Sequence, residues 1–388
     1  MKKILILLSI FRVAFVGDPQ VDNATQLDYA RRSVYRELRE RKDLDLVILL
    51  GDLVNDKTEL LAPTVASLDS LPCPWLAVPG NHDRDRYPKE DGRARDLSSW
   101  QREVGYIDTT FVCKGVRFIL MNDVRTRRQA DYEAGWSEAQ KRWLADVMVL
   151  TPDAQPVVLA THIPLEEMHA QDTLAQLLAG KEKLLLVSGH THQVRRETLT
   201  LGGRPVESLV VGAACGSWWR GFKDAAGIPD ALMNCGSPRG YFVCNFPKSG
   251  YSLAYQRIGV PAEAIDSTAV TPGTFASLGT VSDGRLAVNV YGGSKEGTVR
   301  IRSGSRTLTL ERVSTTAPEV LERIAFNQSM TREYRRAHRE VFIPLRKLGS
   351  PHIWVIPEGQ SVPWDSGDRI TVIYRDRRMR FRERVRCN

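Results

Sequence analysis

The sequence predicts an α/β protein, an α+β sandwich, that is followed by a smaller and mostly β region. Continuous apolar runs such as 46–50 and 184–187 are typical of strands that are covered on both faces of a sheet. Stretches with a helical spacing of apolar residues separate these runs, so strands and helices alternate. After about residue 275 the pattern changes to short alternating strands with Gly and Pro between them, which favours a β-sandwich.

The first region is predicted element by element from these patterns. Strands are expected at 12–16, 46–50, 75–78, 111–113 and 116–121 (a hairpin), 157–160, 184–187, 199–211 (a second hairpin), 242–246 and 251–258. Helices are expected from Thr25, over 57–70, over 137–150 and near 172–180. Thr25 with Asp28 resembles a capping box, so the first helix should begin there.

The second region is predicted to be β-rich with one helix. Strands are expected at 285–291, 298–302, 307–310, 352–356 and 369–374, and the helix over about 318–340. A last strand is expected because Arg380, Arg382, Arg384 and Arg386 alternate with apolar residues, which predicts a half-buried strand with a solvated basic face. Contact of this face with nucleic acid, anionic glycan or membrane headgroups is the alternative. No aromatic residue lies on the arginine face of this strand, so there is no strong nucleic-acid signal.

Three segments are predicted along the 388 residues. Residues 1–11 form a leader or residual signal-like segment, 12–260 the α/β domain and 261–388 the C-terminal β-rich domain, with a linker rich in Pro, Ala, Thr and Ser over 259–275. Lys2 and Lys3 precede an apolar run like that of a signal peptide, although no small-residue cleavage site follows. We therefore expect a periplasmic or secreted protein, with a cytoplasmic location as the alternative.

The composition excludes one class of protein. Hydrophobic residues make up 42% and charged residues 26% of the chain, which is ordinary for a globular protein. No apolar run approaches the roughly 18–20 residues of a membrane span, so no transmembrane helix is predicted. The net charge of +8 is modest, and much of it comes from the arginines near the C-terminus.

Polar residues of one chemical kind follow the predicted strands of the first region. They are Asp18, Asp52, Asn81, His82, His162, His190 and His192. Open α/β sheets bind ligands at the carboxyl ends of their strands, so we expect these side chains to lie together. Carboxylate, amide oxygen and imidazole are ligands of divalent Mn, Fe and Zn. Seven candidates exceed the needs of one ion, which predicts two divalent metal ions bridged by Asp52.

A family resemblance rests on the same residues. Gly51-Asp52, Gly80-Asn81-His82-Asp83, Thr161-His162 and Gly189-His190-Thr191-His192 occur in this order after Asp18. Residues 12–212 thereby resemble the calcineurin-like metallophosphoesterases, which implies a four-layer α/β/β/α fold and a dinuclear metal centre. From about 205 onward the chain resembles the C-terminal domain appended to some bacterial calcineurin-like phosphoesterases, through Gly216-Ser217-Trp218-Trp219 and Gly236-Ser237-Pro238-Arg239-Gly240-Tyr241.

The resemblance also implies a role for each residue. Asp18, Asp52 and His192 would bind the first metal, and Asp52, Asn81, His162 and His190 the second. His82 would stabilise the transition state or protonate the leaving oxygen. Asp83 would orient His82.

One position departs from the family pattern. The first block usually reads Asp-x-His, whereas this chain has Asp18-Pro19-Gln20. Gln20 is therefore a candidate ligand of the first metal through its amide oxygen, and it is either a weaker ligand than imidazole or no ligand at all. Asn55, where many relatives have Asp, is a milder change near Asp52.

Three further residues are candidates for substrate binding. Trp218 and Trp219 are predicted either to form a wall of the substrate cleft or to pack in the core. Arg84 is predicted either to grip a substrate phosphate with its guanidinium or to lie in a solvated loop.

These observations together predict an enzyme. We expect a dinuclear metal-dependent hydrolase of phosphate monoesters or diesters, in which a metal-bridging hydroxide attacks phosphorus and His82 assists the leaving group. The substrate would be a small-molecule or glycan phosphate ester. The alternatives are a catalytically impaired polyanion- or glycan-binding module and a nuclease of the same fold.

Overall fold

The computed structural model describes residues 11–127, 131–168, 171–247, 250–259, 274–360 and 369–386. The predicted leader, apart from Phe11, and nearly all of the predicted linker 259–275 lie outside these residues. Within the described part of the chain, no helix is both long enough and apolar enough to cross a membrane.

The chain forms 21 strands and eight α-helices in the described residues. The strands are β1 (Phe11–Val16), β2 (Leu46–Leu49), β3 (Trp75–Ala77), β4 (Thr109–Cys113), β5 (Val116–Leu120), β6 (Val124–Thr126), β7 (Tyr132–Ala134), β8 (Val157–Ala160), β9 (Leu184–Ser188), β10 (Val194–Leu201), β11 (Arg204–Val211), β12 (Gly240–Phe246), β13 (Ser252–Arg257), β14 (Ala276–Thr280), β15 (Leu286–Val290), β16 (Thr298–Ser303), β17 (Arg306–Thr309), β18 (Glu311–Thr315), β19 (Ser350–Val355), β20 (Arg369–Arg375) and β21 (Arg380–Arg386). The helices are α1 (Ala24–Arg32), α2 (Val34–Glu40), α3 (Leu61–Leu68), α4 (Ser98–Val104), α5 (Glu138–Val149), α6 (Gln171–Leu178), α7 (Pro318–Ser329) and α8 (Arg332–Ala337).

Two mixed sheets form the first region, as the α/β prediction requires. One has the order β13-β12-β1-β2-β3, and the other β10-β11-β9-β8-β5-β4. Strands β1, β2 and β3 are parallel, and so are β5, β8, β9 and β11. The carboxyl ends of parallel strands share an edge of each sheet, so the polar residues that follow β1, β2, β3, β8 and β9 can meet.

The second sheet is covered on both faces, as its unbroken apolar strands predict. Val158 and Leu185 belong to the large core that includes β1 and β2 of the first sheet. Their neighbours Leu159 and Leu186 point the other way, into a core with Leu144 of α5 and with residues of α6. Helices, two facing sheets and further helices thus form four layers.

The C-terminal region is a sandwich of two four-stranded antiparallel sheets, β14-β15-β19-β18 and β17-β16-β20-β21. Val288 and Trp354 of one sheet share a core with Ile301 and Val372 of the other. On β21 the arginines 380, 382 and 384 are exposed and Val385 is buried, so the predicted alternation is confirmed.

Several predicted boundaries are wrong, for local reasons. Helix α1 begins at Ala24, because the side chain of Asn23 and not of Thr25 accepts the capping hydrogen bond from the Gln26 amide. The helix expected over 318–340 is two helices, because Thr331 caps a new start with a bond from the Tyr334 amide. Strands β6, β7, β14 and β18 and helix α4 were not expected.

Candidate metal centre

The residues that follow five strands meet at one site. Asp18, Asp52, His162, His190 and His192 contact one another there, and Asn81 reaches the same point from the end of β3. Asp18, Asp52 and His162 are at most 1% exposed. The parallel pairing of β1, β2 and β3, and of β8 with β9, brings together residues that are far apart in the sequence. This is why the strand-end pattern predicted the cluster.

The first part of the cluster, which we call the His162 half, contains Asn81, His162 and His190 with Asp52. Nε2 of His162 lies 3.0 Å from Oδ1 of Asn81, 3.5 Å from Oδ2 of Asp52 and 3.2 Å from Nδ1 of His190. Asp52, His162 and His190 present ligand atoms that all lie within 4.8 Å of one another. A single divalent ion can contact ligand atoms at this spacing.

The second part, the His192 half, contains Asp18, Gln20 and His192. Nε2 of His192 lies 3.7 Å from Oδ1 of Asp18. The Asp18 carboxylate also accepts a hydrogen bond from the His190 backbone amide, at 3.0 Å, so the Gly189-His190-Thr191-His192 turn links both halves. Only one imidazole belongs to this half.

Gln20 does not present a ligand atom to the cluster. Its amide nitrogen faces the carboxylate of Asp52, with Nε2 3.4 Å from Oδ2. Its amide oxygen faces the thiol of Cys215 at 3.8 Å. In this orientation Gln20 donates a hydrogen bond to Asp52 and offers no ligand atom, which favours the second of the two possibilities predicted for it.

Two imidazoles are held in the tautomer that metal binding requires. Nδ1 of His162 donates to the carbonyl of Leu50 at 2.7 Å, and Nδ1 of His192 donates to the carbonyl of Gly216 at 2.6 Å. Each bond keeps a proton on Nδ1, so that Nε2, which faces the carboxylates, is the ring nitrogen available to a metal ion. A backbone or carboxylate partner on the far ring nitrogen is the usual support of a metal-binding histidine, so these residues fit a divalent ion.

Backbone strain is concentrated around the cluster. Ten non-glycine residues of the described chain have a positive φ. Eight of them belong to the cluster or its immediate loops, and they are Asp18, Gln20, Asp52, Asp56, His190, His192, Trp218 and Trp219. Residues persist in this region when the surrounding structure holds them there, and such residues gather at functional sites.

Glycines allow the backbone to approach the carboxylates closely. A Cβ on Gly189 would lie 2.5 Å from Oδ2 of Asp18, and one on Gly80 would overlap Oδ1 of Asp52. Both positions therefore need glycine for steric reasons. This explains why Gly precedes His190 and Asn81 in the two blocks.

The charges of the cluster favour a bound cation. Burial raises the pKa of Asp18, whereas the pKa of Asp52 stays below its usual range because His162 offsets the effect of burial. Burial lowers the pKa of His162, but Asp52 and Asp18 raise it to about 10 overall. Burial, together with the charge on His162, lowers the pKa of His190 to about 3, and burial lowers that of His192 to about 4. His190 and His192 are thus neutral, whereas the His162 ring without a metal ion holds a proton on Nε2 between the carboxylates, and a bound cation would replace that proton.

His82 lies at the rim of the cluster and is oriented by Asp56. Nδ1 of His82 lies 3.0 Å from Oδ1 of Asp56, and its backbone amide donates to Asp52 at 2.9 Å. Burial lowers the pKa of His82, but Asp56 and Asp52 outweigh it and raise the pKa overall. Arg86 and Arg95 pair with the same Asp56 carboxylate. The sequence contained this signal in the Asp56 that ends the loop after β2, but the role was assigned to Asp83.

Asp83 has a different task from the one expected. Its carboxylate accepts hydrogen bonds from the backbone amides of Gly80 at 2.9 Å and Val54 at 3.0 Å. Burial, together with the charge on Asp52, raises its pKa to about 7. Asp83 therefore ties together the loops that carry Asp52 and Asn81, and its predicted contact with His82 is wrong.

Asp123 is a further residue that the sequence did not single out. It is fully buried, and its carboxylate accepts from the backbone amides of His162 at 3.2 Å and Ile163 at 3.0 Å. Asp123 thus fixes the turn that carries His162. Its position just after the predicted strand 116–121 was the available signal.

The three residues predicted to bind substrate lie in different environments. Arg84 is 4% exposed and donates to Asn122 at 2.9 Å and to the Val124 carbonyl at 2.6 Å, so it supports a loop and is not free to grip a phosphate. Trp219 is 3% exposed and donates to the Pro19 carbonyl at 2.9 Å, which places it in the core. Trp219 thus takes the core position that was one of its two predicted environments, and Arg84 lies in neither of the two predicted for it. Trp218 is 42% exposed, and its ring lies 4.9 Å from that of His192.

Two family models match this chain. The model for Calcineurin-like phosphoesterase matches residues 11–194. The model for C terminal of Calcineurin-like phosphoesterase matches residues 208–377. Together the two matches span most of the chain and include every residue of the cluster. A comparison with curated proteins gave no match.

Solved structures that are similar to part of this chain include the following three. Zinc-bound Vps29 of Entamoeba histolytica is 14% identical, with 63% of this chain and 91% of that chain covered and a TM-score of 0.31. A metallophosphoesterase of Sphaerobacter thermophilus is 14% identical, with 64% and 88% covered and a TM-score of 0.30. A phosphatase of Mycoplasma pneumoniae is 14% identical, with 63% and 92% covered and a TM-score of 0.34.

Proposed function

This chain belongs to the calcineurin-like phosphoesterases, which are metal-dependent phosphoester hydrolases, and we propose that it hydrolyses a small-molecule phosphate ester with two divalent ions held by the cluster. The His162 half would hold one ion and the His192 half the other, with Asp52 between them. Oxygen and imidazole ligands suit Mn, Fe or Zn.

One observation carries this proposal. Nε2 of His162 and Nε2 of His192 both face buried carboxylates, because Nδ1 of each ring donates to the Leu50 or the Gly216 carbonyl. Without a cation this arrangement would cost free energy, because buried carboxylates need compensating charge. A binding module for polyanions would not need imidazole nitrogens that face buried carboxylates.

The residues of the chain divide the chemical tasks. When bound, two divalent ions would supply Lewis-acid charge to the phosphoryl oxygens and a water-derived nucleophile near neutral pH. His82 lies beside the cluster with a side chain that is 30% exposed, so it can reach the leaving oxygen. Asp56 would act as a positioning residue by holding the His82 ring. Asp83 would hold the loops that carry Asp52 and Asn81, and Asp123 would hold the turn that carries His162.

Metal analysis with two chromogenic substrates tests the proposal. Protein loaded with Mn or Zn should release p-nitrophenol from p-nitrophenyl phosphate or from bis(p-nitrophenyl) phosphate, and the preferred one identifies a monoesterase or a diesterase. Protein with bound metal and no release from either compound would contradict the enzyme. Salt-sensitive cleavage of DNA or RNA, faster than either reaction, would indicate a nuclease.

A further inference from the structure

A basic cavity of about 570 Å³ lies next to the cluster. We call it the arginine pocket, and all of its lining residues except Gln26 of α1 come from two distant parts of the chain. The residues that line it include Trp218, Arg220, Arg332, Arg336, Arg339 and Phe342. The first two belong to the loop after β11, and the others belong to α8 or follow it. The volume is within the range of small-molecule sites.

Trp218 connects the arginine pocket to the cluster. Its ring lies 4.9 Å from the ring of His192 with an interplanar angle of 30°, and it also lines the pocket. A molecule in contact with the His192 half can therefore extend along Trp218 into the pocket. The positive φ of Trp218, +55°, costs free energy, and residues in this backbone region gather at functional sites.

The pocket walls are fixed to each other by hydrogen bonds. The backbone amide of Gly221 donates to the carbonyl of Glu340 at 2.7 Å, which joins the Trp218 loop to the segment after α8. The buried side chain of Asn327 donates to the Ile343 carbonyl at 2.7 Å and so ties that segment to α7. The guanidinium of Arg335 lies 4.2 Å above the Phe342 ring. The pocket is thus a built feature of the fold.

The charge of the pocket is not balanced by its own acids. In the part of the chain that the structure describes, Arg220, Arg332, Arg336 and Arg339 form no ion pair, whereas Arg86, Arg95 and Arg323 elsewhere all do. The only acidic residue that lines the pocket is Glu340. Several guanidinium groups around one cavity repel each other, which raises the free energy of the unliganded protein and favours an anionic ligand.

From this arrangement we propose that the arginine pocket binds a second phosphate group of the substrate, so that the enzyme acts on small molecules carrying at least two phosphates. The inference deepens the proposed function and rests on it. One phosphate ester would lie at the metal ions, the body of the molecule would pack on Trp218, and the other phosphate would accept hydrogen bonds from the arginines. Guanidinium groups bind phosphate oxygens through paired N–H donors.

A matched pair of substrates tests the pocket by kinetics. Glucose 1,6-bisphosphate and glucose 6-phosphate differ only in the second phosphate, so the ratio of their kcat/KM values isolates its contribution. We expect the combined variant Arg332→Gln, Arg336→Gln and Arg339→Gln to lower this ratio at least about tenfold, mainly through KM for the bisphosphate. The three side chains are exposed, so the fold should tolerate the change.

A charge-matched variant controls for long-range electrostatics. Arg300, Arg302 and Arg306 are also exposed and lie on β16 and β17, and none of them lines the pocket. Replacing these three with Gln changes the net charge equally and should leave the ratio unchanged. An equal fall in both variants, or an unchanged ratio in the pocket variant, would overturn the proposal.

A binding measurement separates failure of the pocket from failure of the enzyme. If the wild-type protein hydrolyses neither glucose phosphate, the proposed function is in question, but calorimetric titration with inorganic tripolyphosphate still reports on the pocket. In an Asp52→Ala background, where binding through metal ions is removed, we expect the pocket variant to weaken tripolyphosphate binding about tenfold. No difference between the two proteins would overturn the proposal. So would arginine-dependent binding of duplex DNA or of phosphatidylglycerol vesicles without binding of tripolyphosphate.

Discussion

The two halves of the metal centre use the same kinds of residue but are held in different ways. The His162 half has two imidazoles and an amide oxygen within hydrogen-bond distance of a common point. The His192 half has one imidazole, with Nε2 3.7 Å from Asp18, and a glutamine whose amide nitrogen faces Asp52. With one ion in each half, as proposed, the His192 half would bind its ion more weakly.

The difference teaches where each half obtains its support. His162 is held by the core of the first region, through the Leu50 carbonyl and the buried Asp123. His192 is held by the Gly216 carbonyl and the Trp218 ring, which belong to the loop after β11. The segment after α8 is thus linked to the His192 half through the loop after β11, whose Gly221 amide donates to the Glu340 carbonyl.

Removing Asp52 should break both halves and have the largest effect. Because Asp52 lies between the halves, Asp52→Ala should lose both ions and reduce p-nitrophenyl phosphate hydrolysis by more than the roughly 10–100-fold that loss of a supporting residue costs. Metal content and initial rates measure this. Asp28→Ala, which removes an exposed carboxylate on α1, should behave like wild type. Wild-type rates in Asp52→Ala would refute the site.

Removing one histidine from each half tests the assignment of the halves. His192→Ala should lower the metal content from about two ions to about one, because no other imidazole remains in its half. His162→Ala should leave residual metal through His190, since Nδ1 of His190 reaches the same point. Metal analysis by mass spectrometry of both variants, with His338→Ala as the control, decides. Retention of two ions in His192→Ala would show that the assignment is wrong.

Measurements of kcat and of stability distinguish the role of Asp56 from that of Asp83. Asp56→Asn should lower kcat about 10–100-fold with little change in KM, because His82 loses the carboxylate that holds it. Asp83→Asn should instead lower the free energy of unfolding by about 1–3 kcal/mol, because an amide cannot replace the carboxylate on two backbone donors. Urea unfolding and steady-state kinetics of both variants measure this. The opposite pattern would restore the role first expected for Asp83.

Replacing Gln20 with the histidine usual in the family should have the smallest effect. It should reduce the difference in metal affinity between the two halves. Gln20→His would place an imidazole beside Asp52 and Cys215, where Gln20 now lies, so the weaker ion should bind on the order of tenfold tighter. Chelator titration of the holoprotein measures the change, with Gln26→His as the control. Unchanged affinity of the weaker ion would mean that position 20 does not face it.

Much of the site was predictable because its residues follow strands. Parallel strands bring their carboxyl ends to one edge, so a pattern of apolar runs followed by Asp, Asn or His is sufficient to predict a cluster. The same argument does not apply to loops. Asp56 and Asp83 are both acidic residues in loops near His82, and only the path of the backbone decides which one faces the ring.

The tertiary structure decided what lies outside the strand ends. Trp218 and Trp219 are neighbours with the same φ of +55°, yet one is exposed beside His192 and the other is buried against Pro19. The arginine pocket joins residues that are more than one hundred positions apart, and no local pattern relates them. The sequence by itself determined the two sheets and the ligands at their edge, because these follow from short-range periodicity. The orientation of Gln20, the partner of His82 and the pocket depend on packing between distant segments, which only the folded chain specifies.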